Sequence, residues 1–377
     1  MSVVARITPA VLRWARESIG FESEQSAQKI SFSPTKMDDI ENGRDNISIA
    51  KLRDLAKYYK RPIATFFLSE PPKTRSLPKD FRTLPEDVKL PLSPKSLILI
   101  RKAMQMQKDA SEFAIDLGIS PSLFSKVSVS DDVEKESITF RKTISVEEQF
   151  KWHNQSEAFL HWRNFVEEQN VLVFQLPLSK DEVRGFTIYE EGLPTIVISS
   201  KDTINAKIFT LFHEYAHILI GREGMCLPDY AYEGRMEIGE KFCNRFAGAF
   251  LVPKDALLSF YHNNLSIDEF KNLSKKFKVS RYVILKRFHE LKKISFEQYQ
   301  VFYKQMRKDE KPILPFGRAT WAGRCVSERG KRYVSMIFEA KAKGLISLGE
   351  MPRYLGVKTK YFAEVAAIAK MNNRKEG

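Results

Sequence analysis

His213-Glu214-Tyr215-Ala216-His217 sets two imidazoles four positions apart, with a carboxylate directly after the first. On a helix, residues i and i+4 stand one above the other, so both rings can reach one divalent ion at about 2.0–2.1 Å. A carboxylate beside such an ion takes a proton from water that the ion has acidified to a pKa of about 7, and returns it to a leaving amine. The chemistry is that of zinc-dependent peptide hydrolysis, with His213 and His217 as ligands and Glu214 as acid/base. With 6 His in 377 residues, chance produces this pattern on the order of once in 100 such chains.

A catalytic zinc needs a third protein ligand and an open position. Glu233, Glu237 and Glu240 lie at i, i+4 and i+7 of the next helical pattern, and Cys243 continues the same stripe. Glu240 is favoured on position, because it directly precedes the apolar run Phe242, Phe246, Ala247 and Phe250. Cys243 stays open as a second choice, since a thiolate binds zinc well, although a lone Cys among Phe residues is more often a small core side chain.

These side chains need rigid carriers. The spacing predicts a helix over 204–220 with Ile208, Leu211, Phe212, Tyr215 and Leu219 on one face, capped by Asp202 or Thr203 and stopped at Gly221. A second helix over 233–251 ends at Pro253. Ahead of them, Val171–Leu176 reads as a strand, and Phe186–Glu190 with Thr195–Ser199 reads as a hairpin turning at 191–194. Residues 8–68 read as short amphipathic helices, one of them starting at Ser33-Pro34 with an N-cap and a Pro at the first position. Residues 265–291 and 346–369 each read as helix, break, helix, with breaks at 278–280 and at Gly356-Val357.

Phe209–His217, followed by Glu240-Lys-Phe-Cys-Asn-Arg-Phe-Ala247 and Leu251-Val-Pro253, resembles the ImmA/IrrE family of bacterial and phage metallo-endopeptidases. The resemblance implies zinc on His213, His217 and Glu240 with Glu214 as catalytic acid/base; Cys243 departs from the family pattern, which has alanine there. Residues 8–68 resemble the helix-turn-helix module of phage-repressor type often fused ahead of this peptidase. In such a module the first residues of the second helix, here Thr35 and Lys36, touch base edges. Asp38 and Asp39 on the same helix would repel phosphates.

The fold class expected is α+β and mainly helical. Residues 1–70 form an all-α helix-turn-helix domain, and 71–95 a Pro-rich linker with six prolines. Residues 96–292 form the peptidase domain with a small antiparallel sheet, and 293–377 a basic helical tail. The net charge is +14, and residues 291–377 hold 19 Lys and Arg against 8 acidic groups. DNA is therefore an expected partner of the N-terminal module or of this tail, where Arg318, Arg324, Arg329, Lys331 and Arg332 cluster. His153, His161, His262 and His289 fall outside any ligand spacing.

Three scattered cysteines, no leader pattern and no apolar run of membrane-spanning length point to a reducing, cytoplasmic setting without a membrane. By the resemblance, the substrate is a regulatory protein such as a repressor or antitoxin, cut in a stress, prophage or mobile-element response. The C-terminal helices are the natural cover for a protease that must be restrained. The alternative is a transcription regulator or toxin–antitoxin component whose peptidase fold is inactive or only binds a partner.

Overall fold

Capping residues set the helix boundaries near the N-terminus. The elements there are β1 (Val4–Ala5), α1 (Pro9–Glu17), α2 (Ser23–Lys29), α3 (Pro34–Glu41), β2 (Ile47–Ser48) and α4 (Ile49–Tyr58). Ser33 and Ser48 accept from the backbone N–H groups of Lys36 and Lys51, which starts α3 and α4. Leu12, Ala15, Ile19, Met37, Ile40, Leu52, Leu55 and Phe66 close one core. Inside it the Arg16 guanidinium grips the Glu41 carboxylate with two 2.8 Å bonds, tying α1 to α3. The module expected to be all-α also carries a two-stranded antiparallel ribbon, with Val4 opposite Ser48.

The computed structural model describes residues 3–72, 92–120, 127–189, 192–221, 225–226, 238–262, 265–308 and 320–370. Most of the expected linker, 71–95, lies outside them. The chain divides into two units, Met1–Lys102 and Ala103–Gly377. The boundary falls within α5 (Pro94–Leu117), which is followed by α6 (Val133–Phe140), α7 (Val146–Lys151) and α8 (Gln155–Glu167). Next come β3 (Leu172–Leu176), β4 (Gly185–Ile188), β5 (Thr195–Ser199), α9 (Ile204–Leu219), β6 (Met225–Cys226) and α10 (Ile238–Leu251). The rest of the described chain is helical: α11 (Lys254–Leu258), α12 (Ile267–Phe277), α13 (Arg281–Glu290), α14 (Phe296–Lys308), α15 (Trp321–Arg329), α16 (Lys331–Ala342), α17 (Met351–Leu355) and α18 (Phe362–Lys370). None of the described helices is long and apolar enough to cross a membrane.

The sheet, expected to be antiparallel, is mixed. Its order is β3-β5-β4-β6; β4 pairs antiparallel with β5, as the hairpin requires, whereas β3 pairs parallel with β5. β4 runs back against the direction of β3, so the hairpin returns β5 along it. Every residue of β3 and β5 is buried, the two-sided burial that parallel neighbours need. Val173, Ile196 and Ile198 face the core shared with α8, α9 and α10, where Phe212 stacks on Phe250 at 4.2 Å and Trp162 meets Phe212 edge-on at 5.1 Å.

The opposite face carries the C-terminal helices. Phe174 points away from Val173 and meets Tyr333 of α16 edge-on at 5.5 Å. Gln175 and Arg163 both donate to the Ser327 carbonyl, and Arg163 also bonds the Val173 carbonyl. Buried Glu167, paired with Arg163 at 2.8 Å, accepts from the backbone N–H groups of Lys331 and Arg332 and so caps α16. Gly330 makes this junction possible: its φ is +80°, and a Cβ there would lie 2.9 Å from the Val173 carbonyl. Helices α15 and α16 thus rest on β3 and α8, whereas α14 packs against α12 and α13.

Candidate metal and hydrolytic site

α9 is buried on almost every side, so its side chains are fixed by packing before any ligand arrives. Thr203 supplies the cap, accepting from the Ala206 N–H at 3.1 Å. His213 and His217 project from successive turns toward the first turn of α10, where Glu240 stands. The Nε2 atoms of the two histidines are 3.2 Å apart. Glu240 Oε2 lies 3.2 Å from His213 Nε2, and Oε1 lies 3.2 Å from His217 Nε2. All three residues offer a ligand atom within 4.8 Å of one another.

Two imidazole nitrogens so close repel through their lone pairs unless a proton or a cation lies between them. A tetrahedral ion with donors at about 2.0 Å has ligand–ligand edges of about 3.3 Å, close to the three distances seen here. The donor set therefore fits a divalent metal. The ring orientations agree with that use: His213 Nδ1–H donates to Asn244 Oδ1 at 3.0 Å, which leaves Nε2 with its lone pair. His217 Nδ1 is buried without a hydrogen-bond partner among the described residues.

Glu214 is completely buried. Thr187 Oγ1 of β4 donates to its Oε2 at 2.7 Å and to its backbone carbonyl at 3.2 Å. Burial pushes its carboxyl above the usual range, against the pull of His217 and His213 and the bond from Thr187. Glu240 behaves oppositely: burial would raise it, but the imidazoles of His213 and His217 against it hold it well below the ordinary carboxylate range. For His213, burial opposes the charge and Glu240 more than offsets it, leaving its pKa raised. Two carboxylates in one pocket are thus driven apart, one anionic and one able to carry a proton, the separation that acid/base chemistry uses.

Gly185 lets the strand approach. A Cβ there would lie 2.5 Å from Thr210 Cγ2 and 2.9 Å from the Val197 carbonyl, so any side chain would push β4 off α9. Without that contact Thr187 could not reach Glu214.

Three of the residues singled out by spacing, His213, His217 and Glu240, thus converge, with Glu214 beside them. Cys243 does not join them; it is wholly buried in the apolar cluster with Phe242 and Phe246. Glu233 and Glu237 lie outside the described residues. Thr187 and Asn244 were not found by sequence reasoning: Thr187 had no signal at all, whereas Asn244 lies in the motif quoted after Glu240.

In the N-terminal unit Thr35 and Lys36 are both exposed on the first turn of α3. The acids beside them have local partners: Asp38 accepts from Ser23 at 2.5 Å, and Asp39 pairs with Arg44 at 3.0 Å. Arg44 offsets the charge of Asp39, whereas Asp38 keeps its own, and the Lys36 ammonium lies 3.7 Å from Asp45. In the tail, Arg324 is exposed, but Arg329 is buried and donates to the Tyr354 carbonyl at 2.9 Å. Lys331 and Arg332 are half-buried at the α16 cap, and Arg318 lies outside the described residues.

Comparison with curated proteins finds no match to the chain. Two family profiles do match: residues 10–65 match a helix-turn-helix domain, and residues 166–289 match the IrrE N-terminal-like domain of peptidase M78. The second match spans β3 through α13 and so contains the whole constellation on α9 and α10. Residues 10–65 are thus similar to a helix-turn-helix domain and residues 166–289 to an IrrE-type peptidase M78 domain, which supports a hydrolase of the metallopeptidase type.

Proposed function

We propose that the protein is a zinc-dependent endopeptidase that cuts a regulatory protein, a repressor or antitoxin, in the cytoplasm. Zn2+ would be held by His213, His217 and Glu240, and the observation that carries the reading is their 3.2 Å triangle of donors. Bound there, Zn2+ supplies Lewis acidity toward a peptide carbonyl and toward water. Glu214 takes the proton of the attacking water and delivers it to the leaving amine, and its high proton affinity in a dry pocket suits that two-way transfer. Thr187 holds one carboxylate oxygen of Glu214 and so fixes the carboxylate's orientation. Asn244 keeps the His213 ring in one tautomer.

A regulatory substrate is supported by the fused helix-turn-helix domain, which would bring the enzyme to DNA through Thr35 and Lys36. The test is metal content beside cleavage. Wild type should carry about one zinc per chain, Glu214→Ala should keep the zinc and lose cleavage of the repressor or antitoxin encoded nearby, and Glu240→Ala should lose the zinc. A wild-type chain that stays metal-free after reconstitution would overturn the assignment.

A further inference from the structure

The C-terminal helices hold an aromatic and basic group in solvent. Trp321, the first residue of α15, is 57% exposed. The Arg324 guanidinium lies 5.2 Å from the indole centre. Tyr361, in the turn before α18, is 6.5 Å from Trp321 with the ring planes 32° apart. The Lys360 ammonium lies 5.0 Å from the Tyr361 ring, and Lys358 is exposed two residues earlier. The nearby carboxylate, Glu364, accepts from Thr320 Oγ1 at 2.9 Å, which pins the start of α15 to α18 and engages one of its oxygens. From residue 320 to 370 there are ten Lys and Arg against four Glu.

We propose that Trp321, Arg324, Lys358, Lys360 and Tyr361 form a site for single-stranded nucleic acid. The exposed Trp321 ring and the half-buried Tyr361 ring, each with a cation over it, supply the two elements such a site needs: π-faces on which bases stack, and positive charge that tracks the phosphates. A duplex keeps its base faces inside the stack and has no use for the rings. Arg324 serves either as a stacking plane over the indole or as a phosphate contact. The residues differ from Arg329, which is buried and donates to the Tyr354 carbonyl, and from Lys331 and Arg332, half-buried where their backbone N–H groups meet Glu167. The proposal does not depend on the peptidase reading.

The test is fluorescence anisotropy of a labelled oligo-dT of about 20 nucleotides titrated with the full chain carrying Thr35→Ala and Lys36→Ala, which removes the duplex contacts proposed for α3, beside a duplex of equal length. The single strand should bind more tightly than the duplex. Trp321→Ala should weaken it by about 5- to 100-fold, with Tyr361→Ala similar. Lys360→Glu should weaken binding and flatten its salt dependence more than Lys271→Glu on α12, which changes the charge equally. An unchanged melting temperature separates these losses from misfolding, and Arg324→Ala gives a second reading if Trp321→Ala fails to fold. Equal or tighter binding of the duplex, full displacement by poly-glutamate at equal charge, or affinity unmoved by all of these variants would overturn the proposal.

Discussion

The two imidazoles of α9 owe their directions to different neighbours. His213 is aimed by Asn244, whose amide oxygen takes the Nδ1 hydrogen at 3.0 Å, while His217 has no such partner among the described residues. Asn244→Ala should therefore lower zinc affinity by about 10- to 100-fold through His213 alone, and Asn244→Asp, which keeps an acceptor, should recover most of it. Competition with a chromophoric chelator measures this directly; equal affinity in all three proteins would show that Asn244 only packs. Thr187→Val removes the bond to Glu214 without changing the side-chain shape. A hydrogen bond to a charged group contributes about 1.5–3 kcal/mol, so kcat should drop by about 10- to 100-fold while KM and bound zinc stay the same. A variant that lost zinc along with activity would place Thr187 in the scaffold instead. The two histidines and Glu214 were legible because their spacing is local. Thr187 was not, because a strand residue reaches Glu214 only through the sheet, 27 positions away in sequence.

Among the elements, α9 and α10 bear the site, and each is held at a point remote from it. The carbonyls that close α10 are capped by three buried side chains from other helices and their flanks. Arg141 donates to the Phe250 carbonyl at 2.5 Å, Gln149 to the Leu251 carbonyl at 3.1 Å, and Arg287 to the Val252 carbonyl at 3.1 Å. Gln149 also donates to the Phe277 carbonyl, so Gln149→Leu strands two buried acceptors. At about 1–3 kcal/mol for each, chemical denaturation should show about 2–6 kcal/mol lost, with the midpoint lowered. A loss below about 1 kcal/mol would mean water reaches those carbonyls. At the sheet, Gly185→Ala should cost about 1–3 kcal/mol by forcing β4 off α9, and cleavage should fall with it, since Glu214 loses Thr187. If activity survived with the stability loss, the Thr187 bond would be dispensable. Helix ends and the β4–β5 hairpin were legible from caps and turn residues. The parallel placement of β3 was not, for the continuous apolar run 171–176 reports burial on both faces without naming the neighbouring strand.

For the whole chain, the two units have separate cores, one of Leu12, Ile40, Leu52 and Phe66 and the other built around Trp162, Phe212 and Phe250. The three donors all belong to the second unit, where they bring α9 and α10 together across a cluster that is costly without a cation. An ion that binds only the folded form stabilises it by about 4 kcal/mol at a thousandfold excess over its Kd. Calorimetry of the full chain should accordingly resolve a transition that moves several degrees upward with zinc and returns with EDTA, and a second that ignores both. The second belongs to residues 1–102, whose buried Arg16–Glu41 pair and apolar core include no converging His or Cys donors among the described residues. Glu240→Gln distinguishes this from a general salt effect, because it removes the donor charge while keeping the shape. In that variant the zinc-sensitive transition should lose most of its shift. If both transitions rose together with zinc in Glu240→Gln, the ion would be acting elsewhere, and the 3.2 Å triangle would have to be read as a proton-shared cluster.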